Sequence, residues 1–349
     1  MDGLRKDHPW TKAPLIACGP MRLIALSKLA CEVSDAGGLG FIGAGSDVST
    51  LAAELENVRQ SHQDAKDVLP VGVGFLLWAG DQLLHDALPI LEQHIPAAVW
   101  LFAPRESEQL VRWTQETRRV TRGKTKIWIQ IGTVADAVEA TETCEPEVLV
   151  VQGSDAGGHG LEKCAGLISL LPEVADAVEA LGKDQDIRIP TLVAAGGIVD
   201  GRGAAGALAM GAEGVVMGTR YLASPEANVA KGYRDAVLKA SDGGVTTERG
   251  KLYDSLRGTT DWPQRYGGRG VLNESYHDAA KGMSVEENKR LYEDALQTGD
   301  EGWGEKARLT TYAGTGVGLI KDVKPAANIT EEVREDAKRI LKRRSDMIT

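Results

Sequence analysis

The chain has 349 residues, of which 42% are hydrophobic and 26% charged, and its formal net charge is −10. That composition supplies a sizeable core and argues against disorder, and the length fits one large domain with an appendage. The acidic balance disfavours nucleic acid or anionic lipid as partners, because both require a basic face.

The first segment, MDGLRKDHPW, is polar, without the apolar run of a secretory signal or the Arg/Ser-rich pattern of a transit peptide, so a cytoplasmic address is expected. From residue 14 to about residue 225, short Val/Ile/Leu runs alternate with longer helix-period segments, the rhythm of buried parallel strands joined by crossover helices. Strands are expected near Leu15–Cys18, Gly40–Ile42, Val71–Leu76, Ala98–Leu101, Lys126–Ile131, Val148–Val151, Thr191–Ala194 and Gly214–Met217. Helices are expected over Leu23–Ala36, Thr50–His62, Gln82–His94, Glu106–Val120, Val134–Thr143, Leu167–Leu181 and Arg202–Met210. The most apolar stretch, Val68–Trp78, contains Pro70 and falls short of the roughly 18 residues of a membrane span.

Eight strand–helix alternations imply a (β/α)8 TIM barrel. An open doubly wound sheet would carry a glycine-rich phosphate loop after its first strand, where this chain has Gly19-Pro20-Met21. After residue 240 the texture turns rich in Gly, Thr and Arg, with GGRG at Gly267 to Gly270, and then charged and helix-periodic from Ser284 to Thr298. The expected organisation is a barrel over residues 1–240, an appended mainly helical subdomain over 241–325, and a C-terminal helix over 326–349 that returns to the barrel. In that last helix Asn328 stands three residues before Glu331, a variant capping box.

Chemistry concentrates at strand ends. Val148–Val151 runs into Gln152-Gly153-Ser154-Asp155-Ala156-Gly157-Gly158-His159-Gly160, a glycine-rich loop bearing one histidine at the carboxyl end of strand six, where barrels place their active sites. Gly157 and Gly158 let a flat ligand approach the backbone, and the imidazole of His159 can exchange a proton with a substrate. A lone histidine more often caps a turn, but its place in a strand-end glycine loop favours a catalytic base. The other histidines, His8, His62, His85, His94 and His277, lie in the polar terminus, on helices or in the appendage, and read as structural or solvated.

Two further loops, Ala195-Gly196-Gly197-Ile198 after strand seven and Gly218-Thr219-Arg220 after strand eight, pair as a phosphate grip, to which Arg220 adds charge. Either loop alone reads as a tight turn, and the grip does not say which phosphorylated ligand it holds. Cys18, Cys31, Cys144 and Cys164 show neither disulfide nor zinc spacing and read as buried thiols, so no metal is expected. Phe75, Leu76 and Trp78 stand between an apolar site wall and core packing. Arg257, Arg265 and Arg269 stay unassigned, and the stretch around Trp262 and Tyr266 reads as solvated surface rather than as a cover over the barrel mouth.

The turn Gly19-Pro20-Met21, the segment SDAGGLGFIG (Ser34 to Gly43), QGSDAGGHG, and AAGGIVDGRGAAGALAMGAEGVVMGTRYLAS together resemble the nitronate monooxygenase family over about residues 14 to 225, and more loosely at GVGLIKDVKPA (Gly316 to Ala326). The resemblance implies non-covalent FMN and oxidation of alkyl nitronates, with neutral nitroalkanes as further substrates, by dioxygen to a carbonyl compound and nitrite. It makes His159 the catalytic base and assigns flavin contacts to Met21, Arg22, Leu23, Gly74, Gln130, Gln152, Gly158, Gly196, Gly197, Gly218 and Thr219. Asp155 replaces the Glu that many relatives carry before AGGH, and Arg22-Leu23 departs from the commoner residues after the first-strand methionine. The alternative is an FMN-dependent NAD(P)H-using reductase of the enoyl-acyl carrier protein reductase or quinone reductase type, which shares much of these motifs. Substrate identity and oligomeric state are not legible.

Overall fold

The computed structural model describes residues 2–65 and 67–348. Its strands are β1 (Leu15–Cys18), β2 (Leu39–Gly45), β3 (Leu69–Leu76), β4 (Pro96–Phe102), β5 (Lys126–Ile131), β6 (Val148–Gln152), β7 (Gly158–Leu161), β8 (Thr191–Ala195), β9 (Gly214–Met217), β10 (Thr247–Gly250) and β11 (Tyr266–Val271). The helices are α1 (Asp2–Asp7), α2 (Ser27–Asp35), α3 (Leu51–Ser61), α4 (Asp81–His94), α5 (Glu108–Thr121), α6 (Val134–Cys144), α7 (Leu167–Gln185), α8 (Gly201–Ala209), α9 (Thr219–Leu222), α10 (Lys231–Lys239), α11 (Gly243–Thr246), α12 (Leu252–Arg257), α13 (Glu274–Ala280), α14 (Val285–Leu296) and α15 (Ala326–Ile348).

The parallel strands β1-β2-β3-β4-β5-β6-β8-β9 close into a barrel, as the alternating pattern predicts. Strand side chains alternate between the barrel interior and the helix layer, so each strand feeds two cores. Leu15, Ala17, Phe41, Ala98, Trp100, Trp128, Val150, Val193 and Val216 fill the interior, while Ile16, Cys18, Ile42, Val99, Ile129, Val151 and Val215 pack outward on the helices. Phe41 meets Trp100 and Trp128 at ring-centroid distances of 5.1 Å each and blocks the middle of the barrel. Leu4 of α1 and the ring of Trp10 close the bottom against this interior layer.

Moving two residues on from the interior layer reaches the next inward position. Phe41 is followed by Gly43, Gly72 by Gly74, Trp128 by Gln130, Val150 by Gln152, and Val216 by Gly218. The barrel is plugged by aromatics below, while above them Gly43 and Gly74 let the turn through Pro20, Met21 and Arg22 pack against the strand ends, and these glycines line a cavity there together with Gly218 and the two amides.

Three differences from the sequence reading have physical causes. The second helix begins at Ser27, not Leu23, because Leu23 takes a left-handed backbone (φ 64°) and interrupts the helix. The last helix begins at Ala326, so Asn328 lies inside it and caps nothing; Glu226 instead accepts a hydrogen bond from the Ala326 N–H at 3.0 Å. GGRG, expected within a mainly helical appendage, is strand: β11 pairs antiparallel with both β10 and β7 in a three-stranded sheet of order β10-β11-β7. Helix α15 returns to pack on α8 and α2. Among the described residues, no helix is long and apolar enough to cross a membrane.

Candidate functional site

The open end of the barrel holds a cavity of about 730 Å³. All twelve sequence-predicted site residues line it: Met21, Arg22 and Leu23 after β1, Gly74 in β3, Gln130 in β5, Gln152 at the end of β6, Gly158 and His159 in β7, Gly196 and Gly197 after β8, and Gly218 and Thr219 after β9. Phe75, Leu76 and Trp78 line it as well; Phe75 is also fully buried against Trp113, at a centroid distance of 4.7 Å, so it serves wall and core together.

Glycine is required at several of these positions. A Cβ on Gly74 would lie 2.3 Å from the Pro20 ring, and one on Gly157 would lie 2.3 Å from the Gly314 amide nitrogen. Gly196 and Gly197 have φ of 103° and 75°, a region that side chains rarely adopt. The 153–158 loop is tied to the far end of the chain, because Thr315 donates its N–H to the Asp155 carbonyl at 3.0 Å and its hydroxyl to the Asp155 carboxylate at 2.8 Å.

The amides of Gly218 and Thr219 stand at the start of α9, where the helix offers their N–H groups no acceptor. The Thr219 hydroxyl accepts from the Gly314 N–H at 3.0 Å. Arg220 departs from the expected grip. It is buried, donates to the Asp322 carboxylate at 2.8 Å and to the Asp322 carbonyl at 3.1 Å, and does not line the cavity. Its charge ties α9 to the chain before α15 instead of reaching a ligand.

Gln130 presents a polar group without a partner. Its Oε1 accepts from the Trp100 indole at 3.0 Å, which fixes the amide orientation, and its Nε2 is buried with no hydrogen-bond partner. A buried, unpaired donor costs about 1–3 kcal/mol, so this amide, on a residue that lines the cavity, suits a ligand acceptor.

His159 sits on a strand, not in the expected loop. Its β-bridge partner is Gly268 of β11. Its Nε2 lies 3.0 Å from both carboxylate oxygens of Asp254, a residue of α12 that is 4% exposed and does not line the cavity. The Asp254 Oδ1 also accepts from the hydroxyls of Thr259, at 2.9 Å, and Tyr312, at 3.1 Å. Burial first, and then the neighbouring Asp254, push the Tyr312 phenol far above its ordinary range, which keeps it a donor. The Trp262 indole lies flat on the imidazole at a centroid distance of 3.7 Å. No hydrogen bond reaches the His159 Nδ1 among the described residues.

The segment around Trp262, expected as solvated surface, therefore covers the site: Trp262 lines the cavity and packs on Trp78 at 5.4 Å. Of the three unassigned arginines only Arg257 lines the cavity, with its guanidinium 5.4 Å from the centroid of the Tyr312 ring. Arg265 pairs with Asp136 of α6 at 2.7 Å, and Arg269 donates to Thr247 in β10. Arg249 pins β7 to β11 by donating to the carbonyls of Gly158 at 3.0 Å and Gly267 at 2.7 Å; burial, helped by Arg269, pushes it down to about 10. Asp254, Tyr312 and Arg249 carried no sequence signal, being single polar residues distant in sequence. The cluster of arginines around Trp262 and Tyr266 was the one available clue.

Of the remaining histidines, His8 is not solvated: it is 1% exposed beside Trp10 and Trp128. His94 is also buried, and His62 pairs with Asp35 at 2.7 Å. The four cysteines are free, three of them buried and Cys164 half-buried.

Comparison with known proteins agrees with this arrangement. In fold, the chain resembles FabK from Thermotoga maritima (24% identity, TM-score 0.73, covering 99% of this chain and 98% of that one). It likewise resembles a nitroalkane oxidase from Streptomyces ansochromogenes (22% identity, TM-score 0.74, covering 98% and 99%). In sequence, it is 45% identical to the nitronate monooxygenase npaC of Metarhizium robertsii, over 97% of this chain and 95% of that protein. It is 39% identical to a nitronate monooxygenase of Neurospora crassa, over 97% and 93%. The family model described as nitronate monooxygenase matches residues 107–336, a span that includes His159 together with the Asp254, Trp262 and Tyr312 that surround it. With near full-length identity on both sides of that span, the chain is an enzyme of the nitronate monooxygenase family.

Proposed function

We propose that the protein binds FMN at the open end of its barrel and oxidises alkyl nitronates by dioxygen to a carbonyl compound and nitrite, with His159 as the base that lets neutral nitroalkanes enter the same reaction. The observation that carries this reading is a single cavity in which a glycine-lined floor, an unpaired Gln130 amide and a histidine with one open ring nitrogen meet.

The residues fit a flavin. Gly158 leaves room for a flat ring, since no atom lies within 4 Å of where its Cβ would stand, and Gly74 lets the Pro20 turn pack close beneath it. The Gln130 Nε2 supplies a donor for a ring acceptor, while the amides of Gly197, Gly218 and Thr219 supply donors for a phosphate. Met21, Arg22, Leu23, Gln152 and Gly196 would complete the cradle. When bound, the flavin supplies electron transfer from an organic substrate to dioxygen, chemistry that no side chain offers.

His159 does the proton work. Its Nδ1 takes the proton from the carbon beside a nitro group, and the electron pair left behind moves into the nitro group to give the nitronate. Trp262, Trp78 and Phe102 form an apolar wall that keeps water from the substrate carbon.

A flavin spectrum of the purified protein and nitrite release from propyl-2-nitronate test this reading. His159→Asn is expected to keep the flavin and lose nitroethane turnover by roughly 100-fold or more. The rival reductase predicts rapid anaerobic bleaching by NADH or NADPH and no nitrite; that pair of results would replace the proposal.

A further inference from the structure

We propose that Asp254 is a positioning residue: it holds the His159 ring in the form that carries hydrogen on Nε2 and leaves Nδ1 as the free base at the cavity. This rests on the reading of His159 as the base given above. Asp254 itself touches no part of the cavity, so its action on substrate runs through the ring.

The hydrogen-bond directions settle which partner donates. The Asp254 Oδ1 already accepts from two hydroxyls, Thr259 at 2.9 Å and Tyr312 at 3.1 Å. A carboxylate so engaged has only acceptor capacity left for the ring, so the bond to Nε2, 3.0 Å from each oxygen, runs from the ring N–H to the carboxylate. With Nε2 bearing the hydrogen, the neutral ring keeps its lone pair on Nδ1, which has no hydrogen bond among the described residues. When Nδ1 takes the substrate proton, the C–H bond breaks, its electron pair stays with the nitroalkane as nitronate, and the imidazolium faces the carboxylate.

The fold builds this pair from distant parts. β11 places His159 opposite Gly268, where a Cβ would lie 2.7 Å from the Tyr312 ring. Glycine there lets Tyr312 lie close enough to reach Asp254, and α12 delivers the carboxylate from 95 residues beyond His159.

The test is Asp254→Asn and Asp254→Glu in the flavin-loaded, full-length protein. In the D254N protein the Thr259 and Tyr312 hydroxyls claim the amide oxygen and leave its NH2 toward the ring, which transfers the ring hydrogen to Nδ1. We expect nitroethane turnover to fall by roughly 100-fold or more, propyl-2-nitronate turnover to change by less than about fivefold, and D254E to regain at least about tenfold. Nitrogen-15 NMR of labelled histidine is expected to show hydrogen on Nε2 in the parent and on Nδ1 in D254N. Equal losses on both substrates, an unchanged ring in D254N, or a parent protein that oxidises nitronates but not nitroethane would each overturn the proposal. A parent protein inactive on nitronates would sink the proposed function instead, and the ring spectra would still judge Asp254.

Discussion

The imidazole of His159 lies on the indole of Trp262 with ring centroids 3.7 Å apart and planes 3° from parallel. The two residues come from opposite ends of the architecture, one from β7, just beyond the sixth barrel strand, and one from the appended segment. Trp262 is held in turn by Trp78, Phe102 and Tyr266 at 5.4, 6.1 and 6.2 Å. An aromatic stack contributes about 0.5–1.5 kcal/mol beyond its area.

Trp262→Ala is therefore expected to lower nitrite release at saturating nitronate by about tenfold, equivalent to roughly 1.4 kcal/mol, while Trp262→Phe keeps at least half of the parent rate. Steady-state assays of the two variants side by side check this. A Trp262→Ala enzyme at the parent rate would show that the stack is incidental.

Gln130→Leu removes the unpaired amide and leaves the Trp100 indole without its acceptor. The flavin dissociation constant is expected to rise about tenfold or more, as for one lost hydrogen bond between buried partners. Flavin fluorescence on titration into apoprotein measures it, and unchanged affinity would place the flavin elsewhere in the cavity.

Arg334 of α15 is 1% exposed and donates to the carbonyls of Ala36 at 2.9 Å and Gly37 at 2.8 Å, at the carboxyl end of α2. A cation there satisfies carbonyls left open by the helix and faces its negative dipole end. Arg334→Ala is expected to destabilise the fold by about 2–4 kcal/mol through lost charged hydrogen bonds and an unfilled site. The urea midpoint should fall with little change in turnover, because Arg334 does not line the cavity.

His8 gives the fold a pH dependence. Burial at the barrel bottom, partly opposed by Asp7, lowers its pKa from 6.5 to about 4. Between those values the unfolded chain binds a proton that the folded chain refuses, so stability is full above about pH 6.5 and declines as pH falls toward 4. The loss attributable to this residue is roughly 3 kcal/mol. His8→Leu is expected to flatten that part of the curve, measured as the difference between parent and variant unfolding free energies at pH 7 and pH 4.5.

Much of the barrel was legible because its signals are local. Leu15–Cys18 and Gly214–Met217 are short apolar runs beside turn residues, and their bounds in the structure match the expected ones. The resemblance to the nitronate monooxygenase family named most of the twelve expected site residues, and closure of the barrel brings all twelve to one cavity because they stand at or near the strands' carboxyl ends. Strand β7 was not legible. Gly158-His159-Gly160-Leu161 has little period-2 contrast, and its partner β11 lies over a hundred residues on, so nothing nearby in sequence marks the pairing.

By itself the sequence determined the alternation of buried strands and amphipathic helices, the glycines at the barrel top, and a histidine among them, since those depend on residue size, period and backbone freedom. Tertiary structure alone decided that His159 is a strand residue with a carboxylate on one ring nitrogen and an indole on its face, and that Arg220 turns away to Asp322. Such pairings are set by which distant segments the closed barrel and its appended sheet bring within hydrogen-bond reach, and a single polar residue carries no mark of its partner until the chain has folded.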